Sequence, residues 1–346
     1  MKILHTADIH LRKGDTKRID VLQWLIDKGT ALEIDYFIIA GDLFESDADA
    51  SVLRSETKKI FEKAKTEFLI IPGNHDAKSF SHDYDCGKNV IQLTKTPFEV
   101  IELNGLTVCG IPYQNKKFSE CVKNIPGEID ILIAHGTLYD SSFIFSMLDD
   151  KETEYMPIYR ANLQNLARYI AMGHLHSRSI EKDYKNTKVV YPGSPIAFDT
   201  KCEDTRHFYL INIDKKNLKI ERLQVDISPY WLRKELFVFP GNEEEILNEI
   251  ESHLANLDVT DIMPNIIING FIGEKNKGFK NKIDEIDKKF TKKFENMKMT
   301  IDIQSWDHII QNRMVKNFVQ KTMELDDRLR IKVFEITFPV FSDILK

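Results

Sequence analysis

Thiols are few and far apart in this chain. Its four cysteines, Cys86, Cys109, Cys121 and Cys202, include no close pair, which argues against a zinc knuckle and a disulfide framework. A reducing cytoplasm is the simplest location for such a chain. No apolar stretch approaches the roughly 20 residues needed to cross a bilayer, so no membrane partner is expected. Residues 1–11 do not look like a leader either, since they read as a strand running into polar residues. Repeats and low-complexity tracts are missing from the sequence, and so is a surplus of positive charge. With a net charge of −6, attraction to a nucleic acid would need a local basic patch, bound metals or another subunit. What remains, 42% hydrophobic and 29% charged over 346 residues, suits a soluble protein with one large domain and a smaller one.

The informative stretch is Phe68-Leu69-Ile70-Ile71-Pro72-Gly73-Asn74-His75-Asp76. Four apolar residues read as a buried strand, and Pro72-Gly73 turns the chain. An amide, an imidazole and a carboxylate follow at once. The same plan recurs. Lys2–Ala7 ends at Asp8 and His10, Tyr36–Ala40 at Asp42, Ile129–Ala134 at His135, and Tyr169–Met172 at His174 and His176. Helices are expected over Thr16–Lys28 and Ser51–Lys65, and a hairpin at Asn104-Gly105. Lys188–Tyr191, His207–Ile213 and Leu218–Val225 read as a run of antiparallel strands. Ligands of α/β sheets gather beyond the carboxyl ends of strands, so five such ends would bring these polar side chains together.

Carboxylate, imidazole and amide donors without thiolate suit Mn²⁺, Fe²⁺ or Zn²⁺. Asp8, His10, Asp42, Asn74, His135, His174 and His176 are too many for one tetrahedral ion and enough for two, with Asp42 as the natural bridge. Two-metal sites activate water and stabilise both oxygens of an in-line displacement at phosphorus. His75, next to Asn74, is then free to act as general acid for the leaving oxygen.

Asp8-x-His10, Gly41-Asp42, Gly73-Asn74-His75-Asp76, His135 and Gly173-His174-x-His176 resemble, in order and spacing, the calcineurin-like metallophosphoesterases. Within that group the chain looks like the SbcD-type DNA double-strand-break repair nucleases. The details are His5-Thr6-Ala7-Asp8-Ile9-His10-Leu11, Gly41-Asp42-Leu43-Phe44, Ala171-Met172-Gly173-His174-Leu175-His176 and Tyr191-Pro192-Gly193-Ser194-Pro195. The resemblance implies an α/β four-layer sandwich of two mixed sheets flanked by helices over residues 1–228; around Ser228-Pro229 the sequence pattern changes, and residues 229–346 read as a smaller α+β cap domain. The resemblance also implies one metal held by Asp8, His10 and His176, another by Asn74, His135 and His174, and Asp42 between them. Mn²⁺ is the implied activator, and DNA the substrate of exonuclease and single-strand endonuclease cleavage. A homodimer and an SMC-like ATPase of the SbcC type are the implied partners, although the sequence up to Lys346 leaves little room for the helical tail that docks the ATPase in relatives.

Some positions depart from the pattern. Arg12-Lys13 stand where relatives have glycine, and both are candidates for holding a substrate phosphate, the alternative being a solvated loop. Glu45, three residues after Asp42, is expected to accept a hydrogen bond from His75 and raise its pKa; an exposed loop acid is the alternative. Lysines crowd residues 275–298, from Lys275 and Lys277 to Lys293 and Lys298, as a solvated helix face or a phosphate contact. The stripe from Trp306 to Val319 is expected to pack inside the cap. A phosphatase or small-molecule phosphodiesterase remains the second enzymatic reading, although Leu43-Phe44-Glu45 lacks the Asp-Arg-Gly of protein phosphatases. A metal-free binding scaffold is the third, and the full set of ligand positions argues against it.

Overall fold

The computed structural model describes residues 1–80, 84–140, 155–258, 262–273, 278–294 and 296–344. The chain divides into two compact units, Met1–Ser228 and Pro229–Lys346. The first runs β1 (Lys2–Thr6), α1 (Thr16–Ala31), β2 (Tyr36–Ala40), α2 (Asp47–Lys63), β3 (Glu67–Ile71), β4 (Val90–Gln92), β5 (Glu99–Leu103) and β6 (Leu106–Ile111). It continues with α3 (Phe118–Val122), β7 (Ile129–His135), β8 (Leu138–Tyr139), β9 (Ile158–Tyr159), α4 (Arg160–Leu163), β10 (Ala167–Gly173), β11 (Ile180–Tyr184), β12 (Thr187–Tyr191), β13 (His207–Ile213) and β14 (Leu218–Gln224).

Two sheets form, in the orders β14-β13-β1-β2-β3-β4 and β11-β12-β10-β7-β6-β5. β1, β2 and β3 are parallel, as are β6, β7, β10 and β12, while β13–β14, β5–β6 and β11–β12 pair antiparallel, so both sheets are mixed. Side-chain alternation stacks the layers. Phe37 and Ile39 of β2 face a core shared with Leu22 and Leu25 of α1 and Leu53 and Phe61 of α2. Ile38 and Ala40 face the other way, against Ile131 and Ile133 of β7 and Ala171 of β10. Leu132 of β7 and Ile170 of β10 turn outward to Phe118 and Leu163 of the second helical layer. Burial on both faces is why Tyr36–Ala40 is an unbroken apolar run instead of an alternating one. The expected four-layer sandwich of two mixed sheets flanked by helices is present.

Some local expectations change. Ser46 Oγ accepts the Asp49 amide at 3.1 Å, so α2 starts at Asp47, where its acids meet the positive end of the helix dipole. The expected antiparallel run is split. β13 and β14 join the first sheet, whereas β12 lies parallel to β10 in the second. Pro192 offers no N–H to continue the ladder, and residues 192–206 carry the chain from one sheet to the other. Asn104-Gly105 closes the β5–β6 hairpin with φ of 50° and 76°, as a two-residue primed turn requires.

The second unit is an α+β region of β15 (Tyr230–Val238), α5 (Glu243–Asn256), β16 (Ile262–Ile272), α6 (Gly278–Phe290), β17 (Lys298–Ser305), α7 (Trp306–Ile309), α8 (Arg313–Thr322) and α9 (Asp327–Ile344). Its strands are parallel in the order β15-β16-β17. One face packs on Ile250 of α5 and Ile283 of α6; the other buries Phe271 against Val315, Phe334 and Phe338. The stripe from Trp306 to Val319 breaks into α7 and α8, because the Asn312 side chain caps the Met314 amide at 2.9 Å. Met314 itself is 48% exposed, so the stripe is not wholly internal. In the lysine-rich stretch, Lys275 and Lys277 lie outside the described residues. Lys293 Nζ donates to the carbonyls of Leu254, Ala255 and Leu257 at 2.9–3.0 Å, closing the end of α5. Lys289 pairs with Glu251 at 3.0 Å. Lys280, Lys282, Lys288 and Lys292 are exposed. Among the described residues no helix is long and apolar enough to cross a membrane.

Candidate metal centre

β1, β2 and β3 of the first sheet and β7 and β10 of the second release the chain at one end of the sandwich. The loops after β1 and β2 are zipped together: Asp8 N donates to Gly41 O at 3.1 Å, His10 N to Asp42 O at 3.0 Å and Leu11 N to Leu43 O at 2.8 Å. Asp8, His10, Asp42 and His174 occupy the left-handed backbone region, with φ of 55°, 52°, 49° and 102°. Such residues cost on the order of 1–3 kcal/mol each and collect where function demands a fixed shape. Two glycines make room for them. A Cβ on Gly41, whose φ is +92°, would enter the His135 ring, and one on Gly73 would collide with the Asp42 carboxylate.

The seven candidate ligands meet in two overlapping groups. Asp8, His10, Asp42 and His176 bring one donor atom each within 4.8 Å of one another, and so do Asp42, His135 and His174. His10 Nε2 lies 3.1 Å from His176 Nε2 and 3.6 Å from Asp42 Oδ2. Asn74 Oδ1 joins the second group, 2.9 Å from His135 Nε2 and 3.0 Å from His174 Nδ1. Asp42 belongs to both groups. Asp8 and Asp42 are fully buried, as is His135.

The donor pattern fits cations. His135 Nδ1 donates to the Ala40 carbonyl at 2.9 Å, so a neutral ring turns its Nε2 lone pair toward Asn74 Oδ1 and toward Asp42 Oδ2 at 3.2 Å. Acceptors facing acceptors need a proton or a metal between them. Asp42 Oδ2 and His10 Nδ1 are buried without a hydrogen bond. Without a cation, protons take up the strain. Burial drives the Asp8 carboxyl up to about 8, opposed by His135 and reinforced by the Asp42 charge. Burial pulls the His135 imidazole down, yet the neighbouring Asp42 and Asp8 charges outweigh it and raise the group to about 9. Burial likewise works against ionisation of Asp42, but the histidines around it hold its carboxyl far below the usual range. His176 is pulled down by burial to about 4, which leaves its ring neutral and ready to ligate. Imidazole, carboxylate and amide oxygen without sulfur suit divalent first-row ions. The residues present fit a pair of such ions.

His75 stands beside the centre, its ring centroid 4.7 Å from that of His10. Its backbone amide donates to Asp42 Oδ1 at 2.9 Å. Nδ1 lies 2.9 Å from the carbonyl oxygen of Glu45, so Nδ1 keeps a proton and Nε2 is the atom able to give or take one. This corrects the expected part of Glu45. It does accept from His75, but through its main chain. Its carboxylate instead accepts from Arg18 Nη1 at 2.6 Å and lies 3.6 Å from His10 Nδ1. Although His10, Glu45 and His75 also converge, Arg18 already supplies the cation there. Arg18 further donates to the His10 carbonyl, pairs with Asp15 at 2.9 Å and lies 4.5 Å over the Phe198 ring. Asp76 has a bridging role: Oδ1 accepts the Gly73 amide at 2.9 Å and Oδ2 the Phe44 amide at 3.0 Å, tying the loop after β3 to the loop after β2.

Arg12 and Lys13 have exposed side chains next to Asp49, which accepts the Lys13 amide at 2.9 Å. They stand on the loop after β1 without joining the ligand groups. Sequence reasoning passed over Arg18, which occupies an apolar-stripe position four residues before Leu22 and is only 8% exposed. It also passed over Phe198, whose ring flanks His10 and His176 at 5.1 and 5.6 Å, and Tyr155, 5.5 Å from His174. The Tyr191-Pro192-Gly193-Ser194-Pro195 turn acquires a purpose: Ser194 Oγ donates to Asp8 O at 2.8 Å while its amide donates to His176 O at 3.2 Å.

The chain is similar over 64% of its length to a solved archaeal phosphodiesterase, at 16% identity, covering 100% of that chain with a TM-score of 0.37. It is similar over 65% to the protein TT1561 of Thermus thermophilus, at 13% identity, 98% of that chain and a TM-score of 0.42. Vps29 of Entamoeba histolytica, solved with Zn²⁺, matches over 65% at 14% identity, 100% of that chain and a TM-score of 0.31. At TM-scores below 0.5 these likenesses add nothing to the assignment. The family model named calcineurin-like phosphoesterase matches residues 1–190, a span that contains every candidate ligand. The chain belongs to the calcineurin-like phosphoesterases, hydrolases of phosphate esters that work with two divalent metal ions.

Proposed function

We propose that this phosphoesterase is a Mn²⁺-dependent DNA nuclease that hydrolyses phosphodiesters as an exonuclease and single-strand endonuclease, in the repair of double-strand breaks. The observation that carries the reading is the pair of donor groups sharing Asp42, with His75 alongside. Asp8, His10 and His176 would hold one ion, Asn74, His135 and His174 the other, and Asp42 both. Bound there, two cations supply an activated water and neutralise charge developing at phosphorus. The chain's own residues do the rest. Glu45 O fixes the His75 ring through Nδ1, which leaves Nε2 to protonate the departing oxygen. Arg12 and Lys13, exposed on the loop after β1, are available to a flanking phosphate. DNA as substrate rests on the SbcD-like motifs, and the rings of Phe198 and Tyr155 beside the ligands suit a substrate carrying bases. The exposed lysines of α6 offer phosphate contacts within an acidic chain. A homodimer, a cytoplasmic location and an SMC-like ATPase partner of the SbcC type complete the proposal.

The test is cleavage of labelled single- and double-stranded DNA beside bis- and mono-nitrophenyl phosphate, with Mn²⁺ or Mg²⁺, for wild type and His75→Ala. DNA and bis-ester cleavage with Mn²⁺, lost in the variant, is the expected result. Monoester turnover without DNA cleavage refutes the nuclease and favours a phosphatase.

A further inference from the structure

Arg206 is the largest polar side chain sealed inside the first unit, with a relative exposure of 0%. A buried guanidinium is costly unless a carboxylate meets it. None does within salt-bridge distance among the described residues, and Nε has no hydrogen-bond partner. The guanidinium is spent on two consecutive carbonyls of the loop after β10. Nη1 donates to Ser177 O at 3.0 Å and Nη2 to His176 O at 3.2 Å. The Ser194 amide reaches the same His176 oxygen at 3.2 Å. Around the His176 ring, Phe198 lies at 5.6 Å and His10 at 4.7 Å between ring centroids, both edge-on. His176 Nε2 lies 3.1 Å from His10 Nε2, within reach of a single hydrogen bond, and 3.8 Å from Asp8 Oδ1. None of these contacts fixes the main chain that carries the ring, and a planar fork spanning two adjacent carbonyls is suited to that task.

We propose that Arg206 is a positioning residue for one half of the metal centre. By gripping the main chain at His176 and Ser177, it holds the His176 ring toward Asp8 and His10, and without it that half-site loses its ion while the Asn74–His135–His174 half keeps its own. The inference rests on the two-ion reading above. His135 and His174 are aimed by other contacts: Ala40 O holds His135 Nδ1 at 2.9 Å, and the Asp8 carboxylate holds the His174 amide at 2.9 and 3.0 Å. Arg206 touches neither.

The experiment is Mn²⁺ titration of the metal-stripped full chain by calorimetry and electron paramagnetic resonance, with circular dichroism to verify folding. Wild type is expected to bind two ions and give an exchange-coupled spectrum. Arg206→Met should retain one tight ion with the six-line spectrum of isolated Mn²⁺, the other being weakened roughly 10–100-fold, the range for residues that orient a ligand. Arg206→Met combined with His10→Ala should match His10→Ala alone, since both changes strike the same half. Folded Arg206→Met with two ions at wild-type affinity overturns the proposal, and so does loss of both ions. Should the Met variant not fold, Arg206→Lys decides. Its ammonium is a point donor on a shorter stem and lacks the two-nitrogen fork, so the main chain at His176 and Ser177 should be held less firmly and one ion should weaken; unchanged affinities at both sites refute the role. Fewer than two ions on wild type strikes the two-ion reading itself and is distinct from any outcome in the variants.

Discussion

Replacing Asp76 by asparagine probes how the centre is braced. The Asp76 carboxylate is fully buried, and its two oxygens each accept a main-chain amide, from Gly73 at 2.9 Å and from Phe44 at 3.0 Å. Asparagine keeps one acceptor and turns an NH₂ donor against the other amide. A buried donor left unsatisfied costs about 1–3 kcal/mol. In a unit of this size that corresponds to about 2–4 °C of melting temperature per kcal/mol. The pH dependence gives a sharper check. Burial, and after it the Asp42 charge, push the Asp76 carboxyl up to about 7. A carboxyl raised on folding contributes stability that is fully present below its unfolded pKa and is lost as pH rises through the folded one. Metal-free wild type therefore loses stability from about pH 4 to about pH 7 through this group, on the order of a few kcal/mol, whereas asparagine has nothing to titrate. The assay is thermal unfolding of both proteins in EDTA at about pH 5.5 and about pH 8.5. The variant's deficit should be largest at the lower pH and shrink or reverse at the higher. Equal melting at the lower pH, or a deficit that widens with pH, refutes the bracing role and the excess negative charge inferred around it.

His75→Ala should lower kcat about 10²–10⁴-fold with metal content unchanged, because the ring is outside both ligand groups; loss of bound metal would place it among the ligands instead. Glu45→Gln should lower kcat far less than His75→Ala does, since His75 Nδ1 donates to the Glu45 carbonyl and not to its carboxylate; an equal loss contradicts that geometry. Asp42→Ala should remove both ions and His10→Ala one, as counted by metal analysis after gel filtration, and equal losses from the two variants would deny that Asp42 is shared. Apparent metal affinity should tighten from about pH 6 to about pH 8, because ions displace protons from Asp8 and His135, groups raised to about 8 and about 9; a flat profile by calorimetry counts against this.

The ligand set was legible from the chain because each member stands at the end of a strand or within four residues of it, so local pattern sufficed. What joins them was not. The oxygen that orients His75 belongs to the main chain of Glu45, and a backbone acceptor leaves no mark on side-chain identity. Arg18 did leave one, a charge on the buried stripe of α1, readable once its neighbours Val21, Leu22 and Leu25 are placed inside. Arg206 left none, since one arginine before a strand looks like any solvated turn. In the second unit the strand pattern reads only over Asn265–Ile272, because of Pro264. It is tolerated because β16 pairs with β17 only from Asn265 onward, leaving the proline on a stretch bonded on one side. α9 went unread because Pro339 breaks the helical pattern between Phe338 and Phe341.

The centre straddles a seam. Asp8, Asp42 and Asn74 come from the first sheet, and His135, His174 and His176 from the second. Polar ties cross there too, such as His135 to Ala40 and His174 to Asp8. Each cation would rivet the two halves of the sandwich at their active end, adding binding free energy to a boundary held by apolar packing and these hydrogen bonds. Chelation should then be felt first as faster amide exchange near the ends of β2, β7 and β10, while the outer hairpins keep their protection. Catalytic competence and the clamping of one sheet on the other would be lost together.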